Sequence, residues 1–209
     1  MFMIEDIDLG NCIHLYRNSF SKELCREIWD FFHENISIAR PGQTITGINK
    51  AKTTLDILSD TFLYSHKEVE PAFIDLSVKV YESLKDPINQ YIQNYDWIAN
   101  CPNIIDTGYI FQLYEQGVGE YREHIDGCSW VGNSEHRIMG VVVYINDVEQ
   151  GGETYFRYQN ISVKPEAGSV LLFPAFWSHP HQSNIPISGK KLIVSSFVVN
   201  GDYDHGHHH

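Results

Sequence analysis

From about residue 107 to residue 200 the chain breaks into short apolar runs divided by turn residues. This texture limits the possible folds more than any other feature. GYIFQLYE, RIMGVVVYI, ETYFRY, ISVKP, SVLLFP and KLIVSSFVV follow one another, separated by Gly117 and Gly119, Asn146 and Asp147, Gly151 and Gly152, and the 165–168 turn. Runs of this length and spacing predict about seven strands packed as a sandwich or barrel. The density of VVVYI predicts a strand buried on both faces. The first third reads differently. Ser21 is placed to cap KELCREIWDFFHEN, where Leu24, Ile28, Phe31 and Phe32 recur at helical spacing. A second helix is predicted from about Pro71 to Tyr95, with Phe73, Leu76, Val80, Leu84, Ile88 and Ile92 on its inner face. Segment 38–50, IARPGQTITGINK, holds Pro41, Gly42 and Gly47 and reads as a mobile loop. Helices followed by a run of strands make an α+β chain. One domain is expected over 1–204, with helical support over about 1–106 and a strand core over about 107–200.

Composition excludes several function classes. The 209 residues are 43% hydrophobic and 20% charged, which is a globular balance rather than a disordered one. The net charge of −12 argues against a protein that grips phosphate backbones, so nucleic acid is not an expected partner. No apolar stretch reaches the ~18 residues of a membrane span. MFMIEDIDLG carries acids where a signal peptide needs a basic start, so a cytoplasmic protein without a membrane partner is expected. Cys12, Cys25, Cys101 and Cys128 form no C-x-x-C pair and are expected to be free thiols. The ending DYDHGHHH looks like a purification-tag remnant over residues 205–209. Oligomeric state leaves no signature.

Familiar catalytic signatures are absent: no G-x-x-x-x-G-K-[ST], no G-x-S-x-G and no H-E-x-x-H occurs. What stands out is His124-Ile125-Asp126. In an extended strand, residues i and i+2 share a face, so an imidazole and a carboxylate are delivered together. Taken alone the pair says little. Fifty-five residues later, SHPHQS supplies His181. Two histidines and one carboxylate on one face of an octahedron characterise non-haem Fe(II) oxygenases. Lys191, ten residues beyond His181, opens the strand KLIVSSF, and the turn through Pro186 and Gly189 can return it beside the metal. His179 alternates onto the same face as His181. The spacing to Gly189 and Lys191 favours His181 as the ligand, leaving His179 for the second layer or the substrate.

YEQGVGEYREHID (114–126), HRIMGVVVYINDVEQGGETYF (136–156), ISVKPEAGSVLLFP (161–174) and HQSNIPISGKKLIV (181–194) resemble the 2-oxoglutarate- and Fe(II)-dependent dioxygenases, in their prolyl 4-hydroxylase-like branch. The resemblance covers about 107–199, with the motifs in family order, and extends to phage and bacterial members. It implies a double-stranded β-helix, or jelly roll, braced by N-terminal helices. It also implies Fe(II) on His124, Asp126 and His181, with 2-oxoglutarate and O2 as cosubstrates and ascorbate as a reductant. Lys191 matches the cation that holds the remote carboxylate of 2-oxoglutarate. Tyr114 and Tyr144 match tyrosines lining that pocket. Thr154 and Ser195 are further polar contacts, and Arg137 a second-layer or substrate residue.

The implied reaction hydroxylates an unactivated C–H bond while 2-oxoglutarate is decarboxylated to succinate. Halogenating relatives lack the carboxylate, so Asp126 points to hydroxylation. The resemblance favours a prolyl residue in a peptide or protein as substrate. Trp130, Trp177 and the 38–50 segment are candidates for an aromatic groove around an extended chain. A small molecule such as a free amino acid is the enzymatic alternative, and a non-catalytic ligand-binding jelly roll the non-enzymatic one.

Overall fold

The computed structural model describes residues 3–44, 47–57, 70–101, 104–127 and 137–200. Cys128, Trp130 and the 205–209 tail therefore lie outside the described residues. Among the described residues, thirteen strands alternate with few helices. The strands are β1 (Glu5–Asp8), β2 (His14–Arg17), β3 (Arg40–Thr44), β4 (Gly47–Ile57), β5 (Ile104–Asp106), β6 (Tyr109–Tyr114), β7 (Tyr121–His124), β8 (Arg137–Tyr144), β9 (Thr154–Phe156), β10 (Ile161–Val163), β11 (Val170–Pro174), β12 (His181–Ser183) and β13 (Lys191–Asn200). The α-helices among the described residues are α1 (Lys22–Glu34), α2 (Pro71–Gln93) and the short α3 (Asp96–Ala99).

Both expected long helices form. Ser21 caps α1 by accepting from the Leu24 amide at 3.1 Å. The α2 helix begins with Pro71 in its first turn, where the missing N–H costs nothing, and runs through Pro87. Its buried face includes Phe73, Leu76, Val80 and Leu84.

The strands form two antiparallel sheets. The large one has the order β1-β2-β11-β8-β13-β6-β4-β3, with β5 added beside β13. The small one has the order β10-β9-β12-β7. The strand period of two divides the large sheet's side chains between two cores. Val141, Val143, Leu192, Val194, Phe111, Leu113, Leu55 and Ile57 pack with Ile28 and Phe32 of α1 and with the α2 face. Tyr114, Tyr144, Ile193, Leu171 and Phe173 point the other way, toward Phe156 and Val163 of the small sheet. The functional candidates sit in this gap between the sheets.

Two expectations need correction. The N-terminal half is more than helical support, because it contributes β1 to β4 to the large sheet. The 38–50 segment is a hairpin rather than a loop. Its strands β3 and β4 pair antiparallel, and β4 then pairs with β6. Pro41 is tolerated because β3 is the sheet edge, where no neighbour needs its missing donor. Gly42 allows close approach, because a Cβ there would collide with the stem of Lys52. The Asn49 amide donates to the Glu120 carbonyl at 2.5 Å and ties the hairpin to the start of β7.

The β1–β2 hairpin is fixed to the end of α2. The buried His14 bridges Asp6 at 2.8 Å and the Tyr95 hydroxyl at 2.9 Å, while the Tyr91 hydroxyl donates to the Cys12 carbonyl at 2.8 Å. Cys12 and Cys25 are free thiols among the described residues. Among those residues, no helix is long and apolar enough to cross a membrane.

Candidate metal centre

β7 and β12 pair so that His124 and His181 lie directly opposite each other. β7 ends at His124, and Asp126 follows in a bend rather than in the strand itself. His124 Nε2 lies 3.4 Å from Asp126 Oδ1, and His181 Nε2 lies 3.7 Å from Asp126 Oδ2. One donor atom from each of the three residues falls within 4.8 Å of the others. Cis ligands held at ~2.1 Å in an octahedron are about 3 Å apart, so a small contraction completes the site.

The chemistry of the donors fits a divalent ion. His124 Nδ1 is 2.9 Å from the Arg122 carbonyl, and His181 Nδ1 is 3.1 Å from the His179 carbonyl. A carbonyl only accepts, so each Nδ1 carries a proton and each Nε2 keeps its lone pair for the cluster. Burial pushes the His181 imidazolium below its ordinary pKa and favours the neutral, ligating form. Burial alone would raise the Asp126 carboxyl, but His181 and His124 outweigh it and hold the group below the usual carboxylate range. The arrangement supplies two neutral nitrogens and one carboxylate on one side of a metal, leaving its other side open.

The surroundings fix these ligands in place. The Phe173 ring lies 4.7 Å and the Phe156 ring 5.5 Å from the His181 ring, between centroids, and the Tyr121 ring meets His124 edge-on at 4.1 Å. Arg137 donates to the Asp126 carbonyl at 3.2 Å, and its guanidinium stacks on Phe197 at 3.6 Å. Gly140 of β8 lies beneath the carboxylate. A Cβ there would sit 2.5 Å from Phe173 Cζ and 2.7 Å from Asp126 Oδ2. Gly140→Ala is therefore expected to displace Asp126 and weaken divalent-metal affinity by about 10–100-fold, the range for disturbed outer contacts. Calorimetric metal titration checks this, and unchanged affinity would show that the carboxylate can shift without cost.

The other candidates divide into two groups. Lys191 is almost fully buried, and its ammonium donates to the Gly152 carbonyl at 2.8 Å and to Ser183 Oγ. Ser183 is two residues beyond His181 and pairs across with Thr154, whose Oγ1 accepts from the Tyr144 hydroxyl at 2.8 Å. Lys191, Ser183, Thr154 and Tyr144 thus form one polar pocket behind the metal ligands. Burial lowers the Lys191 pKa to about 7. Its ammonium also lies 4.6 Å from the centre of the Tyr114 ring. The Tyr114 hydroxyl instead donates to Gln112 at 2.9 Å, and Gln112 donates to Ser195 at 3.1 Å. Ser195 is four residues along β13 from Lys191, roughly 13 Å away, so the structure does not bring these two together. His179 also lies apart. Its Nε2 donates to the Asn11 carbonyl at 2.8 Å and ties this segment to the turn before β2. Trp177 is 71% exposed on the segment between β11 and β12.

Residues 109–199 match the profile of the 2OG-Fe(II) oxygenase superfamily. The segment is a 2OG-Fe(II) oxygenase domain. All three metal-ligand candidates and Lys191 fall within the matched span. The domain type takes Fe(II), 2-oxoglutarate and O2. Over 171 residues the chain is 28% identical to a probable prolyl 4-hydroxylase 11 of Arabidopsis thaliana, covering 77% of this chain and 54% of that protein. The chain thus spans about half the length of this curated relative. The fold is shared with a viral collagen prolyl hydroxylase from Paramecium Bursaria Chlorella virus-1 in its 2OG complex. There the TM-score is 0.67 at 15% identity, over 92% of this chain and 98% of that one. It is also shared with a Pseudomonas putida prolyl-4-hydroxylase, with a TM-score of 0.63 at 19% identity, over 90% and 92% of the two chains. The fold is therefore the jelly roll that the family resemblance implies.

Sequence reasoning missed Lys52. It stands on β4, in register with Tyr114 on β6, which is in turn in register with Lys191 on β13. Two lysines thus flank one tyrosine across three strands. In the sequence, NKAKTT resembles a solvated edge, and only the pairing of β4 with β6 reveals where Lys52 points.

Proposed function

We propose that the protein is a 2-oxoglutarate- and Fe(II)-dependent dioxygenase that hydroxylates a prolyl residue in a peptide or protein substrate. The observation carrying this reading is the convergence of His124, Asp126 and His181 with a buried lysine pocket behind them. Similarity to the plant prolyl 4-hydroxylase favours the prolyl substrate over a free amino acid.

His124, Asp126 and His181 would hold Fe(II). The bound metal couples oxidative decarboxylation of 2-oxoglutarate to oxygen insertion at a C–H bond. The chain's own work is to bind, orient and shield. Lys191 pairs with the remote carboxylate of 2-oxoglutarate, and Ser183, Thr154 and Tyr144 complete its hydrogen bonds. Phe156 and Phe173 keep water from the His181 side. Arg137 holds the Asp126 backbone, so the ligand after β7 keeps its position without strand pairing.

Anaerobic addition of Fe(II) and 2-oxoglutarate to protein lacking residues 205–209 should give a metal-to-ligand charge-transfer band. Admission of air should then release succinate, with ascorbate sustaining repeated turnover. Failure of the band to appear with saturating cosubstrate would reject the reading. A pH dependence follows from burial of Lys191. Its pKa of about 7 in the free protein means that the ammonium is lost above neutrality, whereas a paired carboxylate raises that pKa. Between about pH 7 and 9, 2-oxoglutarate affinity should thus fall by up to about tenfold per pH unit. Calorimetry across that range checks the slope, and a flat profile would remove Lys191 from the binding role.

A further inference from the structure

Lys52, Thr54 and Asp56 occupy alternate positions on β4. The intervening Leu55 and the following Ile57 lie in the core beneath the helices, so the three polar side chains face the gap between the sheets. All three are buried, at 3%, 5% and 7% exposure. A strand facing an apolar core would carry Val or Ile here, and a structural polar ladder would be internally paired. This one is not.

Among the described residues, the Thr54 hydroxyl and Asp56 Oδ1 have no hydrogen-bond partner. The second Asp56 oxygen is held by Arg40 at 2.6 and 2.9 Å. The Lys52 ammonium has no acceptor among the described residues. It faces the rings of Tyr121 at 3.9 Å and Tyr114 at 5.8 Å. Burial, together with Arg40, lowers its pKa to about 8, which still leaves it mostly protonated at neutral pH. Three successive inward positions thus offer a cation, a hydroxyl and a carboxylate oxygen that no hydrogen bond among the described residues uses.

Their location relates them to the metal centre. The Tyr121 ring that carries the Lys52 ammonium packs against His124 on its way to the cluster. Lys191 lies on the other flank of Tyr114 and is already bonded to Gly152 and Ser183. One cation suffices for the remote carboxylate of 2-oxoglutarate, so the second is directed at a different anion.

We propose that β4 is a wall of the substrate site, where Lys52 receives a carboxylate of the substrate while Thr54 and Asp56 bond its backbone. This rests on the dioxygenase reading above. The substrate class is an extended peptide bearing an acidic group near the reacting residue, either an Asp or Glu side chain or its own terminal carboxylate. Length decides between peptide and amino acid. Lys52 and Asp56 are four residues apart, roughly 13 Å along the strand, which matches about four residues of an extended peptide. A free amino acid carries both charges on one carbon and cannot reach both ends. With a net charge of −12 the protein does not attract acidic peptides at long range, so their recognition falls to this local, shielded cation.

The test uses fluorescent proline-containing octapeptides in matched pairs. In one set Glu replaces Gln at each position around the proline; in the other a free C-terminal carboxylate replaces the amide. Anisotropy titrations are made without oxygen on protein holding Fe(II) and 2-oxoglutarate. One acidic peptide should bind about 10–100-fold tighter than its neutral match, as for a hydrogen bond to a charged group. The set that shows the preference identifies the source of the carboxylate. Lys52→Met should erase the preference, and Lys52→Glu should reverse it toward a Lys-bearing peptide. Wild-type 2-oxoglutarate affinity in both variants reports that the fold and cosubstrate pocket are intact. Equal binding of acidic and neutral peptides by the wild type would overturn the proposal. So would a preference that survives Lys52→Met, loss of 2-oxoglutarate binding on that substitution, or binding of free proline with no peptide bound. An intact charge-transfer band without acid preference sinks this proposal alone, whereas a missing band sinks the dioxygenase reading beneath it.

Discussion

Replacing His181 by alanine is expected to abolish the Fe(II)–2-oxoglutarate charge-transfer band and reduce succinate release to background. The same change at His179 should leave both close to wild type. The two histidines are two residues apart, but the backbone sends them to different places. His181 opens β12 directly opposite His124, with its Nε2 3.7 Å from the Asp126 carboxylate. His179 spends its Nε2 proton on the Asn11 carbonyl and its Nδ1 on the Ser178 hydroxyl, 2.9 Å away. A lost ligand should cost more metal affinity than the ~10–100-fold typical of outer-layer partners. His179→Ala should instead act on stability, because it removes the partly buried hydrogen bond to the Asn11 carbonyl, at about 0.5–1.5 kcal/mol. Protein without the terminal histidines is essential, since they bind metal themselves. Retention of the band in His181→Ala with its loss in His179→Ala would reverse the assignment.

The cluster was legible because its signal is local. His124 and Asp126 are separated by one residue, and His181 and Lys191 lie on either side of a single turn. The spacing names these residues, but the pairing of β7 with β12 sets His181 opposite His124, Asp126 reaches the site from the bend after β7, and Lys191 comes from the other sheet. The helices were legible for the same reason: Ser21 and the apolar spacing of α1 need no tertiary information. The N-terminal strands were not legible. β1 reads EDID, and its residues are mostly exposed. The stability of β2 comes instead from pairing with β11, more than 150 residues away. β3 and β4 carry Pro41, Gly42 and Gly47, which signal a loop in isolation. Here the proline sits at the sheet edge and Gly42 clears the stem of Lys52. The polar face of β4 broke the apolar alternation expected of an inner strand, because that face lines the gap holding the metal centre. Ser195 is linked through Gln112 to Tyr114 rather than to Lys191 directly. Ser195 and Lys191 share a face of β13, but sharing a face does not set distance along it.

Removal of the Lys191 charge should have opposite effects on binding and on stability. Lys191→Met is expected to weaken 2-oxoglutarate by on the order of a hundredfold or more, the consequence of removing one partner of a shielded charge pair, typically ~3–5 kcal/mol. Fe(II) affinity should change little, because Lys191 touches Ser183 and Gly152 rather than a ligand. Stability without cosubstrate should rise. Burial depresses the lysine from 10.5 to about 7, so the folded state holds the ammonium at a cost on the order of 5 kcal/mol near neutral pH. Methionine keeps most of the packing volume and removes that cost. Against this, the Gly152 carbonyl loses its donor, at about 1–3 kcal/mol. The pH dependence separates the two contributions. Between about pH 7 and 10.5 the unfolded chain holds the Lys191 proton more tightly than the folded chain. Wild-type stability from this group therefore rises with pH over that window. The methionine variant lacks that rise, so its advantage is largest near pH 7 and shrinks toward pH 10. Thermal unfolding of both proteins at several pH values, alongside calorimetric titration of 2-oxoglutarate, measures both effects. A variant that loses stability at pH 7 while keeping cosubstrate affinity would make Lys191 a structural residue and leave the remote carboxylate to another cation.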